Sequence, residues 1–291
     1  MPNTLTAAFP EVWSRLIQVP LRKSLVALEI ANTELREELE VGYKIHYPYT
    51  SDLTVGNYTP GSDVTIQNVS MTDEYLTVDQ KKVVAFRIDN FEQVQSRYDL
   101  IVPWSDEAAY RIRDVIDTAV LAETANAANA LDDGDIGGTA GNGIDIANAD
   151  IVKVFTVARR KLREANVEEA ADWVAVVPPY VAEAIELAAV NKGFQIADAT
   201  LRNGYAGDFL GFKIYVSNNL PVVQDEGNND CYLAYIGKAK CIHLVMQMPP
   251  RTVIKDEPRQ DAKNVLTFAL YGTKVFSKNA NRFLKAYFLA P

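Results

Sequence analysis

The side chains in this 291-residue sequence best suited to hold a metal or act as nucleophile or base are two histidines, His46 and His243, and two cysteines, Cys231 and Cys241. Cys241 and His243 stand two positions apart, so on a strand both point the same way. A zinc site takes three or four ligands, and two do not make one. Structural burial is the reading for both, with free thiols and no metal site. A Gly-x-Ser-x-Gly elbow, a His-Glu-x-x-His helix and a dinucleotide fingerprint are all absent from the sequence. Carboxylates are abundant, but no pair is set apart as acid and base. We therefore expect no catalytic residues, no cofactor and no enzyme.

Two further stretches invite chemistry. Asp132 to Asp145 holds five glycines between Gly134 and Gly143. A phosphate cradle needs a following Gly-Lys-Ser/Thr, whose lysine neutralises phosphate and whose hydroxyl holds magnesium. Neither is present and the stretch is acidic, so it reads as a flexible surface loop. Arg159, Arg160, Lys161 and Arg163 crowd the end of an expected helix over 147–166, where cations suit the helix dipole. They could meet nucleic acid; a solvated face or a salt-bridge surface between subunits is preferred. The net charge of −9 argues against a nucleic-acid reader, which normally shows a basic face.

Hydrophobic residues make up 48% and charged residues 23% of the chain, enough to bury a real core in one large or two modest domains. No apolar run reaches the roughly 18 residues that a membrane-spanning helix needs. The first residues, Met1-Pro2-Asn3-Thr4, lack a signal-peptide pattern, and folding in a cytoplasm is expected.

A long helix is expected over Ser105–Leu131. Ser105 would be its N-cap, Asp106 and Glu107 its acidic first turn, and Asp132-Asp133-Gly134 its end. Ile112, Ile116, Ala119 and Val120 recur at helical spacing and mark its buried face, with Arg113 off that stripe. Ahead of it, Phe9, Trp13, Leu16 and Ile17 form a short apolar stripe interrupted by Pro20. A helix over about 23–40 follows, with Leu25, Leu28 and Leu35 apolar. These two segments could pack on their own domain or reach a neighbour as an arm. Residues 41–90 alternate at period two: Tyr43, Ile45, Tyr47 and Tyr49, then Val64, Ile66, Val84, Phe86 and Ile88. They read as a long β excursion with little core of its own. Beyond the long helix, strands are expected at Trp173–Val177, Phe212–Val216, Tyr232–Ile236 and Val265–Phe276, and a helix from Pro178-Pro179 through Val190.

The stretch Gly204 to Pro221, with Gly207, Gly211, Phe212, Ser217, Asn218, Asn219 and Pro221 as its marked positions, resembles one common in major capsid proteins of tailed bacteriophages. Val83-Val84-Ala85-Phe86-Arg87-Ile88-Asp89 with Gln93-Val94-Gln95 is similar to that family's join between β loop and spine helix. Val176 to Val181 is similar to its axial strand entering a helix. The order of these segments covers nearly the whole chain.

The resemblance implies an α+β Hong Kong 97-like capsid fold. Its parts would be an N-terminal arm (1–42), an extended β loop (43–89), a peripheral domain (90–146) with the spine helix at 105–131, an axial domain (147–250) and a return to the peripheral domain (251–291). It further implies self-assembly of pentamers and hexamers into an icosahedral head shell around double-stranded DNA, held without sequence specificity. Assembly would take place in the host cytoplasm, with scaffolding and portal proteins and in some cases a decoration protein. No extra domain precedes the arm, so scaffold is expected as a separate protein. Covalent cross-linking does not carry over, because no acceptor aligns to Lys44, Lys81 or Lys82. An encapsulin-like shell and a soluble α+β enzyme are the alternatives.

Overall fold

The computed structural model describes residues 22–35, 42–61, 63–64, 66–96, 99, 101–168, 172–192, 205–257 and 260–291. The stripe Phe9, Trp13, Leu16 and Ile17 and, from the acidic end of the expected 23–40 helix, Glu37, Glu38 and Glu40 lie outside these residues.

Where a helix was expected from Lys23, the chain makes one helical turn, α1 (Ala27–Ile30), and then a short strand, β1 (Ala31–Asn32). Tertiary partners take the backbone groups that a helix would use. The amides of Val26 and Ala27 go to the Asp117 carboxylate, and Ala31 and Asn32 pair in parallel with Ile242 and His243.

The β excursion is a long thin hairpin. β2 (Lys44–His46) pairs with β5 (Tyr75–Thr77), and β3 (Tyr49–Thr50) with β4 (Met71–Thr72). The described residues between 51 and 70 carry no strand. β6 (Gln80–Asp89) leaves the hairpin and runs into a sheet, with Val84, Phe86 and Ile88 turned inward and Val83 outward.

α2 (Asn90–Gln95), capped by Asp89, leads to the long helix α3, which spans Ile101–Ala122 rather than Ser105–Leu131. Ser105 lies inside it and donates its hydroxyl to the Ile101 carbonyl. The start is held by Asp99, which accepts the Ile101 N–H. Pro103 is tolerated there because the first four helical N–H groups have no partner within the helix. At about 1.5 Å per residue α3 is about 33 Å long. Its alanine-rich continuation does not stay helical: Glu123–Asn126 tightens to a 3-10 turn and Asn129–Leu131 becomes strand β7. Pairing of β7 outweighs the few tenths of a kcal/mol per residue that alanine offers a helix.

The rest of the chain contributes α4 (Ile151–Glu164), β8 (Trp173–Val177), α5 (Pro179–Lys192), β9 (Tyr205–Phe209), β10 (Phe212–Val216), β11 (Val222–Gln224), β12 (Asp230–Lys238), β13 (Ile242–Asp256), β14 (Ala262–Val275), α6 (Ser277–Ala280) and β15 (Phe283–Leu289). Two main sheets result. One has the order β1-β13-β14-β6; the other, mixed, has the order β7-β15-β12-β8-β10-β9, with β11 beside β12.

Every residue of β8 is buried, because it lies between two cores. Trp173, Ala175 and Val177 face α4 and α5, together with Phe155, Val181, Ile236 and Phe288. Val174 and Val176 face the opposite core, where Ile112, Ile116, Val120 and Leu121 of α3 meet Leu244, Ala269, Tyr271 and Phe283. Of the expected buried face of α3, Ile112, Ile116 and Val120 are buried and Ala119 is partly covered.

The stretch 132–145 is an ordered connection rather than a flexible loop. Asp132 and Asp135 cap each other's backbone around a 3-10 turn. Asp225 accepts the Gly143 N–H at 3.0 Å, and Ile144, fully buried, bonds to Tyr287 and Leu289. The amides of Gly143 and Asn229 hold the Asp225 carboxyl down to about 2. A side chain on Gly143 would sit 2.3 Å from the Cys231 sulfur, so this glycine is what lets the connection press against β12.

Candidate functional site

The two cysteines are free and buried, and burial raises both thiols above their ordinary pKa. His243 is buried, donates to or accepts from Asn279 at 3.0 Å, and is held below its usual pKa by desolvation. No group of three metal-ligating side chains occurs among the described residues. The basic cluster on α4 is partly consumed within the chain: Lys161 bonds to Asp135 and the Ala130 carbonyl, and Arg160 pairs with Glu164. The arrangements that stand out are structural. One is a buried polar junction; the other is a hairpin root.

The junction is built from residues 205–221 of the motif; Gly204 lies outside the described residues. Leu210 and Gly211, with φ of 50° and 84°, form the two-residue turn between β9 and β10, since hairpin twist favours left-handed residues at both turn positions. Gly207 lies within β9, not in the turn, with φ 99°, opposite Ile214 where the register shifts. Phe212 is buried against Trp173 and Phe155. After β10, the Ser217 hydroxyl accepts the Asn219 N–H, Asn218 is exposed, and the Pro221 carbonyl accepts the Leu233 N–H.

This turn aims the buried Asn219 side chain at α3. Its amide donates to Asp114 at 2.7 Å and to Asp117 at 2.9 Å, and its carbonyl accepts from Lys23 Nζ at 2.7 Å. The other oxygen of Asp117 accepts the amides of Val26 and Ala27 at 2.8 and 2.7 Å. One carboxylate, 1% exposed, therefore joins the entering chain, the long helix and the turn after β10. The sequence reading did not find Asp117. Its signal was an acid at the helical spacing of Tyr110 and Leu121, inside the buried stripe, where an unpaired charge is rarely tolerated.

Desolvation raises the pKa of Asp117, against hydrogen bonds that lower it, and Asp114 raises it further. A folded pKa above the unfolded one means that the folded state binds the proton more tightly. Stability from this group is full at low pH and is lost as pH rises through the folded pKa. In Asp117→Asn the carbonyl still accepts from Val26 and Ala27, but the new amide faces the Asn219 amide, donor against donor. We expect a loss of about 1–3 kcal/mol, largest in acid and narrowing as pH rises through the folded pKa. Denaturant melts of parent and variant across the acidic range check this; a pH-independent difference would refute it.

The second arrangement is the hairpin root. Ile45, Leu76 and Val78 pack with Leu35, Val245 and Phe276 in a small core of their own. Glu74 accepts the backbone and hydroxyl of Ser277 at 3.0 and 2.6 Å, capping α6. Lys274 bonds to the Tyr75 carbonyl and Lys278 to Asp52. His46 pairs with Asp73 at 2.7 Å. Beyond the root this packing stops: Leu53, Val55, Tyr58, Val64, Ile66 and Val69 are all well exposed, Val55 completely. Exposed apolar side chains grouped on one hairpin in this way mark an interaction site.

A family model described as phage capsid protein matches residues 73–280. The fold is similar to a solved structure from Mycobacterium phage Che8, at 21% identity and TM-score 0.76, covering 96% of each chain. It is also similar to the capsid structure of the Cyanophage P-SCSP1u, at 15% identity and TM-score 0.73, covering 100% of this chain and 96% of that one. A third likeness is to the asymmetric unit of the bacteriophage PhiM1 mature capsid, at 14% identity and TM-score 0.69, covering 96% and 92%. None of the curated proteins compared matches.

Proposed function

We propose, from the premise that this chain belongs to the phage capsid protein family, that its copies close an icosahedral shell chiefly by laying the 43–79 hairpin of each subunit over a neighbour. The protein is a major capsid protein, and its α+β architecture is the Hong Kong 97-like fold of tailed-phage capsids. Its role is structural and its place is the virion capsid.

The observation that carries the proposal is the hairpin itself. It exposes a run of apolar side chains at the end of a well-packed root, and nothing else among the described residues covers them. A second copy supplies that cover in a closed shell. We assign residues 1–42 to an arm and 43–79 to the loop, with β6 as the strand that returns it to the body. We assign 90–126 and β13–β14 to a peripheral unit, and the seven-stranded sheet with α4 and α5 to an axial unit meeting its copies at pentamer and hexamer centres. β7 and β15 belong to that sheet by pairing, so the axial unit draws strands from both flanking segments. The net charge of −9 favours a shell that contains double-stranded DNA without gripping it, since a strongly bound genome resists packaging and release. Scaffolding, portal and decoration proteins are the further partners we propose for a head assembled in the host cytoplasm.

Hydrogen exchange tests the proposal. Amides of residues 51–70 should exchange fast in isolated subunits and slowly in particles, and the assembled species should sediment far above 32.2 kDa. Equal protection in both states would sink the hairpin-over-neighbour contact, and a strictly monomeric species with scaffold supplied would sink the shell.

A further inference from the structure

We propose that the tip of each hairpin is received by a neighbouring copy in the apolar groove between β6 and the first turns of α3, and that one ion pair, Asp63 of the hairpin with Arg87 beside the groove, sets where the hairpin stops. This rests on the hairpin-over-neighbour reading above and adds to it a seat and a register.

The groove holds about 370 Å³. Val84, Phe86 and Ile88 of β6 form one wall, and Trp104 and Ala108 of α3 form the other. Trp104 is 59% exposed and the adjoining Val102 57%, so the largest exposed apolar side chain of the described residues stands here. The charges of the groove do not balance. Arg87 and Arg111 line it against the carboxylate of Glu107. That carboxylate is taken by Arg111 at 2.7 Å and by Arg22 at 3.6 Å. Arg87 is exposed and bonds to the uncharged side-chain carbonyl of Gln260. Among the described residues no carboxylate forms an ion pair with it. Glu257, which shares a second depression with Arg87, accepts instead from Asn264 at 2.7 Å. The occupant that suits this surface is apolar and carries one acid.

The hairpin tip has that composition. Leu53, Val55, Tyr58, Val64, Ile66 and Val69 are exposed. Asp63, also exposed, is the only charged residue from Leu53 to Thr72. Along an extended segment Val64 and Ile66 share one side and Asp63 takes the other. β6 divides its side chains in the same way, with Phe86 and Ile88 inward and Arg87 outward. β6 is also the last strand of its sheet. A segment laid along its open edge can therefore put apolar side chains into the groove and its acid against the guanidinium. Apolar contact is non-directional and would let the hairpin slide, whereas a charge pair fixes register.

The groove of the same subunit is out of the tip's reach. β6 runs beside β14 from Asp89↔Ala262 to Gln80↔Tyr271. The run continues outward, with the Tyr75 carbonyl at Lys274 and the Glu74 carboxylate at Ser277. Ser51 then bonds to Ser70 and Thr54 to Gln67, so the hairpin goes on past Glu74. From Glu74 back to Phe86 is about 40 Å at roughly 3.3 Å per extended residue. The occupant is a second copy's hairpin.

Charge reversal tests the pairing. We expect Asp63→Arg and Arg87→Asp each to lower particle yield several-fold, and the double variant to regain most of it. Denaturant melts of isolated subunits check folding, since Arg87→Asp also removes the Gln260 bond. Single variants that assemble like the parent would overturn the pairing, as would a double variant with a parent-like melt that assembles no better than the worse single. Should Arg87→Asp melt well below the parent, Asp63→Arg decides: lost particles with a parent-like melt support the pairing, and a parent-like yield overturns it. Hydroxyl-radical oxidation tests the seat. Trp104 should oxidise several-fold more slowly in parent particles than in isolated subunits, with the buried Trp173 protected in both; an equal Trp104 rate overturns the groove as the seat. Hydrogen exchange keeps the two readings apart. Protected 51–70 amides beside a freely oxidised Trp104 place the hairpin elsewhere on the neighbour, whereas unprotected amides remove the hairpin-over-neighbour contact itself.

Discussion

Ile116→Ala should lower the stability of the isolated subunit by about 2–5 kcal/mol, the range for truncating a large buried aliphatic side chain. Ile116 is 5% exposed and sits mid-stripe on α3, in the core that also holds Ile112, Val120, Leu121, Leu244 and Tyr271. The two sheets and the helix all contribute to this core, so little can collapse into the space that the lost methylenes leave. Arg113, exposed on another face, provides the comparison: Arg113→Ala should change stability by less than about 0.5 kcal/mol. Denaturant melts of both variants decide. A parent-like melt for Ile116→Ala with a badly destabilised Arg113→Ala would mean that the buried face of α3 is wrongly assigned.

Gly272→Val should detach the hairpin root and abolish particle formation. β6 pairs with β14 from Ala262↔Asp89 to Tyr271↔Gln80. Gly272 is the next residue on β14, at the place where the chain crosses from the hairpin into the sheet. A Cβ there would lie 2.3 Å from the Thr77 carbonyl oxygen and 3.0 Å from the Val78 Cα. Both are backbone atoms and cannot rotate away. Overpacking typically costs about 1–3 kcal/mol, and here the root yields most readily, because it rests on a small core of six buried residues while β14 is held by strands on both sides. Val78 and Leu76 amides should then exchange fast while those of β12 and β8 remain protected. Particle yields equal to the parent's would show that the root tolerates the shift.

Much of the architecture was legible from pattern. The strands at 173–177, 212–216 and within 230–238 and 262–275 followed from apolar runs, and the proline-led helix α5 from Pro178-Pro179. What failed did so where tertiary partners set local structure. Ser105 looked like a cap, but Asp99 two residues before the helix does that work. The alanines at 125–130 have strong helix propensity, yet strand pairing with β15 claims 129–131. Lys23–Glu40 carries helical spacing, but the amides of Val26 and Ala27 go to Asp117 and Ala31 and Asn32 pair with β13. Asp117 and Glu74 share one difficulty: each satisfies backbone groups of a segment far away in sequence, and no spacing rule records such a partner. The marked motif positions divide accordingly. Gly211 and Phe212 act locally, whereas the part played by Asn219 depends on a helix about a hundred residues earlier in the chain.

β8, whose side chains alternate between two cores, has a mechanical consequence. A hinge between the helical layer on one side and the α3 layer on the other would have to shear this strand, stripping Trp173 and Val174 from opposite interiors at once. The body of the subunit is therefore stiff in bending, much as a plate glued on both faces to its ribs is stiff. In a shell joined by the hairpin contact proposed above, such plates would take up their differences in angle at the slender hairpins rather than by flexing.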